Sequence, residues 1–380
     1  MKVLIVCNNA YLRGNGICTA ILSLLDHLKR RGVDARLMAC ENEDKRGGQP
    51  DFPLKHFRIP VFEWLVSSNG FRFAKADRKI ITEAVEWADV VHVAEAFPLE
   101  AVTVSIAEKL KKPCVGTFHF FSENIMANIG LKHAGPINTA ITWIWRKTVY
   151  DHCRCVQCPT LTVKDYLIKH GYRAPLVVIS NGIDISDEVF VPATASMHPI
   201  EILCIGRLAN EKSQNTLLDA MKYSRHADEI HLHFAGKGPK EGKYRKMADR
   251  LVEDGILKHN PTFGFYRAEE LKGLTRGAYL YIHCAWVEVE GLSCVEAIKE
   301  GLVPVIAKGP VTAAWQFALD ERSIFPESDP KALAARIDWW IEHPQEHMEM
   351  GARYAESIKG YDINDSIDRI IQMYEDSMRI

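Results

Sequence analysis

Short apolar runs alternate with helix-length stretches along almost the whole chain, and the alternation runs twice. In the first pass the runs at 3–7, 34–39, 90–93, 113–119, 156–158 and 176–179 read as strands. Helical stretches run through Ile21, Leu24, Leu25 and Leu28, and over 75–87, 98–110 and 162–170, while the polar 41–53 reads as an exposed loop. Val191-Pro-Ala-Thr-Ala-Ser-Met-His-Pro199 has no periodicity and two prolines, which marks a linker. The rhythm then restarts: strands at 201–205, 230–235, 261–263, 278–283 and 303–307, helices at 213–222, 241–253, 268–276, 330–342 and 344–357. Strand–helix–strand repetition predicts a parallel, doubly wound sheet. Two passes in 380 residues predict two of them, because a chain this long exceeds one hydrophobic core. The expected fold class is α/β, with two Rossmann-like doubly wound domains facing across a cleft. Ligands are expected outside the carboxyl ends of the strands.

Charge excludes one class of partner. A net charge of −2 argues against a dedicated nucleic-acid binder. Residues 1–190 hold 24 Lys and Arg against 20 Asp and Glu, a surplus of 4; the remainder holds 23 against 29, a deficit of 6. The first half therefore leans toward a peripheral contact with an anionic membrane. Ten cysteines lie scattered without a disulfide pattern, and Val3-Leu-Ile-Val-Cys7 is too short for a signal sequence. The expected location is the cytoplasm, at the inner face of the cell membrane.

The chemistry gathers where strands end. Glu288-Val-Glu-Gly-Leu-Ser-Cys-Val-Glu296 places two carboxylates around a helix opening at Gly291 and Ser293; Leu292, Val295 and Ile298 give that helix an apolar stripe, and Gly301 ends it. Either Glu alone would be an ordinary surface acid. Gly206-Arg207 follows strand 201–205, and Lys212 is expected to begin the next helix; a guanidinium fork and an ammonium there suit phosphate oxygens. Gly236-Lys-Gly238-Pro239 is a permissive turn at another strand end. Gly14-Asn-Gly16-Ile-Cys-Thr19 stands where a dinucleotide fingerprint would, but Thr19 replaces the third glycine, which excludes a dehydrogenase and leaves a phosphate-facing loop. His119, ahead of Phe120, Phe121, Glu123 and Asn124, reads equally as a reacting-centre contact or as a satisfied core histidine. His152-Cys-Arg-Cys155-Val-Gln-Cys158 lacks a second ligand pair, so core cysteines are the better account, and no Asp-x-Asp suggests a cation under a diphosphate. Trp143 and Trp145 beside Arg146 and Lys147 suit either a membrane interface or a core face with snorkelling cations.

Taken together, Glu288 and Glu296, Arg207 with Lys212, the 14–19 loop, Ser180-Asn-Gly-Ile-Asp184 and Phe234-Ala-Gly-Lys-Gly-Pro239 resemble the retaining GT-B glycosyltransferases of family 4. Phe118-His-Phe-Phe-Ser-Glu-Asn-Ile125, Phe263-Gly-Phe-Tyr266 and Trp315-Gln-Phe-Ala-Leu-Asp-Glu-Arg322 resemble the bacterial branch of diacylglycerol and related lipid α-glucosyltransferases. The resemblance implies a donor site at Gly206, Arg207, Lys212, Gly236 and the Gly14–Gly16 backbone. Glu296 would hold the ribose and Glu288 the sugar hydroxyls, Gly291, Leu292 and Ser293 would cap the phosphate or sugar, and Gly264 and Phe265 would meet the base. His119, Arg207, Lys212 and Glu288 would form the catalytic group, and Phe120, Phe121, Glu123, Asn124 and Trp143 the acceptor side. The closing helix would return to the first domain, giving domains of 1–190 plus 361–380 and of 200–360. Family members usually carry Phe-Gly where this chain has Glu290-Gly291.

The expected reaction is hexose transfer, with retention and without a metal, from UDP-glucose or UDP-galactose to a hydroxyl of a membrane lipid such as diacylglycerol. The donor is a substrate, so no cofactor is implied. The alternatives are a transferase acting on a cell-surface polysaccharide or a small molecule, a sugar-nucleotide 2-epimerase, and a catalytically silent nucleotide-sugar-binding module.

Overall fold

Strand cores made of near-continuous apolar residues pair in parallel because both faces of such a sheet are covered. In the computed structural model, which describes residues 1–12, 14–44, 47–60, 63–68, 71–128, 130–131, 134–185 and 198–379, they form two such sheets. The expected linker falls, as far as residue 197, outside the described residues. The chain divides into a first unit, Met1–Gly182 with Ile363–Ile380, and a second, Ile183–Asp362.

The first unit holds seven parallel strands in the spatial order Phe52–Leu54, Asp34–Cys40, Lys2–Val6, Val90–Val93, Cys114–Thr117, Cys155–Cys158 and Leu176–Val178. The second holds six, in the order Thr262–Gly264, Ile230–Ala235, Ile200–Ile205, Leu280–His283, Val303–Lys308 and Ile324–Pro326. Counted along the chain the first runs 3-2-1-4-5-6-7 and the second 3-2-1-4-5-6, the doubly wound order, which reverses beside the first strand. Helix starts are capped locally: Asn15 accepts from Ile17 N at the head of Gly16–Arg30, and Asp77 and Thr160 do the same for Arg78–Trp87 and Leu161–Lys169. The closing helix Ile363–Arg379 belongs to the first unit, burying Ile363, Ile367, Ile370, Met373 and Tyr374 with Ile21, Leu25 and Leu28.

Three expectations need correction. Phe52–Leu54 overlaps the end of the stretch read as a loop; it is an edge strand, where Pro53 is tolerated because no ladder needs its missing N–H. The strand ending at His119 stops at Thr117, leaving Phe118 and His119 beyond the sheet. The helix expected from 213 begins at Asn215: Lys212 instead closes a 3-10 turn, Asn210–Lys212, and Ser213 at φ +48° breaks the path.

A polar chain crosses the first sheet. His92 Nδ1 lies 2.6 Å from the Tyr374 hydroxyl and Nε2 lies 2.6 Å from Thr117 Oγ1. Thr117 donates to Gln157 Oε1 at 2.7 Å, and Gln157 donates to the carbonyl of Ile179 at 2.9 Å. Since Thr117 spends its proton on Gln157, it accepts from His92 Nε2–H, and Nδ1 accepts from Tyr374. Burial, with His119 nearby, pushes the His92 pKa down to about 3, so the ring stays neutral in this role. Tyr374 thereby ties the closing helix to three strands. Replacing Tyr374 by Phe leaves the buried Nδ1 without a donor and is expected to cost about 1–3 kcal/mol, read from the urea midpoint.

Candidate functional site

Glycines let the carboxyl ends of the second sheet approach closely. Gly206, at φ +145°, donates its N–H to Ala235 O at 3.0 Å, and Gly236 N donates to Gly264 O at 2.7 Å. A Cβ on Gly236 would sit 2.0 Å from Gly206 O, and one on Gly238 would sit 2.3 Å from Leu208 O. Both positions therefore exclude any side chain without backbone movement, and the three strand ends form one shallow shelf of peptide groups.

Cations stand on that shelf. Arg207 is ion-paired with the buried Glu211, and Gln214 holds the Arg207 carbonyl at 2.9 Å. Lys212 is paired with Glu288, and Trp286 fastens the turn by donating its ring N–H to Asn210 O at 3.1 Å. Glu288 is not a loose acid ahead of a helix. It lies in a two-residue strand, Val287–Glu288, against Val311–Thr312, and His283 Nε2 stands 3.3 Å from the same carboxylate oxygen that Lys212 binds. Burial alone would raise the Glu288 pKa, but Lys212 and His283 outweigh it and hold it at about 2. The chain of contacts continues: Tyr281 Oη lies 3.1 Å from His283 Nδ1 and 3.0 Å from Ser293 Oγ. Gly291, at φ +89°, turns the chain into helix Leu292–Lys299, whose first turn carries no acid. Glu290 is buried, and after burial itself it is the cause that raises the Tyr361 pKa. Glu296 reaches solvent, yet crowding round its carboxyl raises its pKa against the pull of Lys299.

The second unit thus brings Gly206, Arg207, Lys212, Gly236, Gly264 and Glu288 onto connected strand ends, with Gly291, Leu292 and Ser293 at the adjoining helix start. Phe265 leaves this edge with its ring 53 % exposed, whereas Phe263 is stacked on Phe234 at 4.7 Å and packs. Tyr281 and His283 are the members that sequence reading missed. Their signal was two polar residues spaced i, i+2 in a strand that should have been apolar throughout.

In the first unit Gly14 precedes helix Gly16–Arg30, and Gly16 is its exposed first residue. His119 has its Nε2 buried without a hydrogen-bond partner among the described residues, and desolvation lowers its pKa to about 4. It lines a small cavity with Thr117, Gln157 and Asn181. Phe121 is wholly buried against Phe118 and Tyr166. Phe120 packs on Phe97 and Trp145, Glu123 accepts from Ser122 and Tyr166, and Asn124 Oδ1 accepts from Phe121 N, so each has a local structural duty. Trp143 is 55 % exposed; Trp145 is buried, and Arg146 is turned onto the carbonyls of His170 and Gly171. Where this sheet's order reverses, Asn8 links two buried carboxyls that sequence reading did not single out. Its amide donates to Glu95 at 2.9 Å and to Glu100 at 3.0 Å, and burial raises the pKa of both.

Residues 14–187 match the model of glycosyltransferase family 4, and residues 187–357 match that of the glycosyl transferases group 1. The chain belongs to glycosyltransferase family 4. This glycosyltransferase is 25 % identical to a GDP-mannose-dependent alpha-mannosyltransferase of Corynebacterium glutamicum, over 99 % of this chain and 89 % of the relative. It is 22 % identical to an alpha-monoglucosyldiacylglycerol synthase of Acholeplasma laidlawii, over 77 % of each. Its fold resembles that of Anabaena HepE in complex with UDP-glucose, with a TM-score of 0.76 at 16 % identity over 99 % of this chain and all of that one.

Glu288 sets a pH dependence. Its folded pKa is depressed from 4.5 to about 2, so its contribution to stability is present above about 4.5 and is lost as pH falls toward 2. The melting-temperature gap between the native protein and Glu288→Gln is expected to be widest above pH 4.5 and to narrow steadily below it.

Proposed function

We propose that this glycosyltransferase moves a hexose from a UDP-sugar to the hydroxyl of a membrane lipid, with retention of configuration and without a metal. The observation that carries the reading is the pair of half-buried cations, Arg207 and Lys212, over the peptide shelf at the strand ends. As the sugar leaves, negative charge grows on the diphosphate. Cations held at those strand ends stabilise that charge. Lys212 passes from Glu288 to the diphosphate, and Glu288, kept ionised, is then placed to accept from sugar hydroxyls. Glu296 accepts from the ribose, Phe265 meets the base, and the helix start at Leu292 and Ser293 caps the phosphate or sugar. The acceptor attacks on the face the leaving group departs from, and a phosphate oxygen takes its proton.

The names of two relatives, a monoglucosyldiacylglycerol synthase and a mannosyltransferase using GDP-mannose, support a hexose and leave the base to be tested. UDP-glucose, UDP-galactose and GDP-mannose, each labelled in the sugar, are offered with total membrane lipids in the presence of EDTA. The reading expects lipid-borne label from one UDP-sugar, with chelation making no difference. Label confined to water-soluble glycans, or transfer only when a divalent cation is restored, would contradict it. Arg207→Ala and Lys212→Ala are each expected to lower kcat/KM about 10²- to 10³-fold. Near-native turnover in both would remove the assignment.

The lipid acceptor places the enzyme at the inner face of the cell membrane, and the first unit offers a surface for it. Helix Gly135–Thr148 exposes Ile137, Trp143 and Ile144, each about half. No helix among the described residues is long and apolar enough to cross a membrane. Trp143→Ala is expected to weaken co-sedimentation with phosphatidylglycerol vesicles by about 10-fold or more, from the loss of one aromatic side chain buried in the interface.

A further inference from the structure

The second sheet breaks its own pattern at one place. Parallel strands covered on both faces read as continuous apolar runs, and polar groups inside such a sheet call for an explanation. Glu201 and His231 are direct neighbours in register on Ile200–Ile205 and Ile230–Ala235, and His233 follows His231 at i+2 on the same face. His233 is in turn opposite Thr262 on the edge strand. The ligand atoms of Glu201, His231 and His233 all lie within 4.8 Å of one another. Ligands around a four-coordinate zinc ion stand about 3.3 Å apart, so the spacing needs only small side-chain movement.

We infer that Glu201, His231 and His233 form a zinc-binding site in the second unit. Both imidazoles converge on one carboxylate oxygen: His231 Nδ1 is 3.0 Å from Glu201 Oε2, and His233 Nε2 is bonded to the same atom. The far nitrogens are each held from outside, His231 Nε2 at 3.1 Å from Asn260 O and His233 Nδ1 at 2.6 Å from Thr262 Oγ1. This is the outer hydrogen bonding that orients metal-ligating histidines. The Asn260 carbonyl can only accept, so it draws the His231 proton to Nε2 and turns the Nδ1 lone pair toward the carboxylate. Either a metal ion or the second proton of an imidazolium reconciles the two acceptors, and the titration below separates them. Two imidazoles and a carboxylate suit Zn²⁺, with a fourth position for water or for His259, whose ring centre lies 6.1 Å from that of His231. The ion would clip the strands at 200–205 and 230–235 and, through Asn260 and Thr262, the edge strand that ends at Gly264. Its role is structural and separate from the metal-free transfer proposed above.

The full chain, stripped with EDTA and titrated with Co²⁺, tests this. One equivalent is expected to bind, with the visible absorption of a four-coordinate nitrogen–oxygen set and no thiolate band, and Zn²⁺ is expected to displace it. Stoichiometric Zn²⁺ is expected to raise the melting temperature. His231→Asn and Glu201→Gln are expected to abolish the Co²⁺ spectrum, and Thr262→Val, which keeps all three ligands, to weaken binding about 10- to 100-fold. No saturable Co²⁺ spectrum in the native chain, a thiolate band, or equal binding by folded His231→Asn would overturn the site and leave an ion-pair cluster only.

Discussion

Glu288 is a carboxylate drawn into the second unit and kept charged by Lys212 and His283 acting on one oxygen. A buried charge is tolerable only when so paired, and the pairing fixes three segments at once: the turn after Ile200–Ile205, the end of Leu280–His283 and the strand leading into Leu292–Lys299. Lys212 meets it from the end of a 3-10 turn that Ser213 closes in the left-handed conformation, not from the helix start expected at 213. The site's electrostatics and its local backbone are therefore one arrangement, and the relay through Tyr281 to Ser293 extends it to the helix start.

The glycines make that arrangement usable. With no Cβ at 236 or 238, the peptide groups of three strand ends lie edge to edge beside Arg207 and bond to one another. Sequence alone marks these glycines as permissive turns. It cannot say that the reason is a carbonyl 2.0 Å from where a side chain would begin, because that carbonyl belongs to a residue thirty positions earlier.

Strand–helix alternation was legible because parallel sheets demand apolar runs, and both sheets follow from it. Phe52–Leu54 was hidden by its length and its proline, and the helix at Asn215 by a turn whose conformation no periodicity signals. Arg207, Lys212 and Glu288 were legible as charged residues at strand ends. Their partners were not: Glu211, Tyr281 and His283 acquire meaning only through residues brought near in space. At Phe121 an aromatic run after a strand reads as a ligand surface, while the ring itself is wholly buried. Trp143 and Trp145 show the same ambiguity resolved both ways, one ring in solvent and one in the aromatic cluster. The polar chain from Tyr374 to Gln157 was invisible for a further reason: its members are spread over 282 positions of chain.

The central claim is that the strand ends of the second unit bind the nucleotide diphosphate. Hydrogen–deuterium exchange with and without UDP tests it most directly, because the shelf is made of backbone peptide groups whose hydrogen bonds a bound ligand steadies. The account predicts protection concentrated at 206–212, 236–240, 264–265 and 288–296. Saturating UDP that leaves those segments unchanged, or that protects the Asn8, Glu95 and Glu100 region in their place, would contradict it.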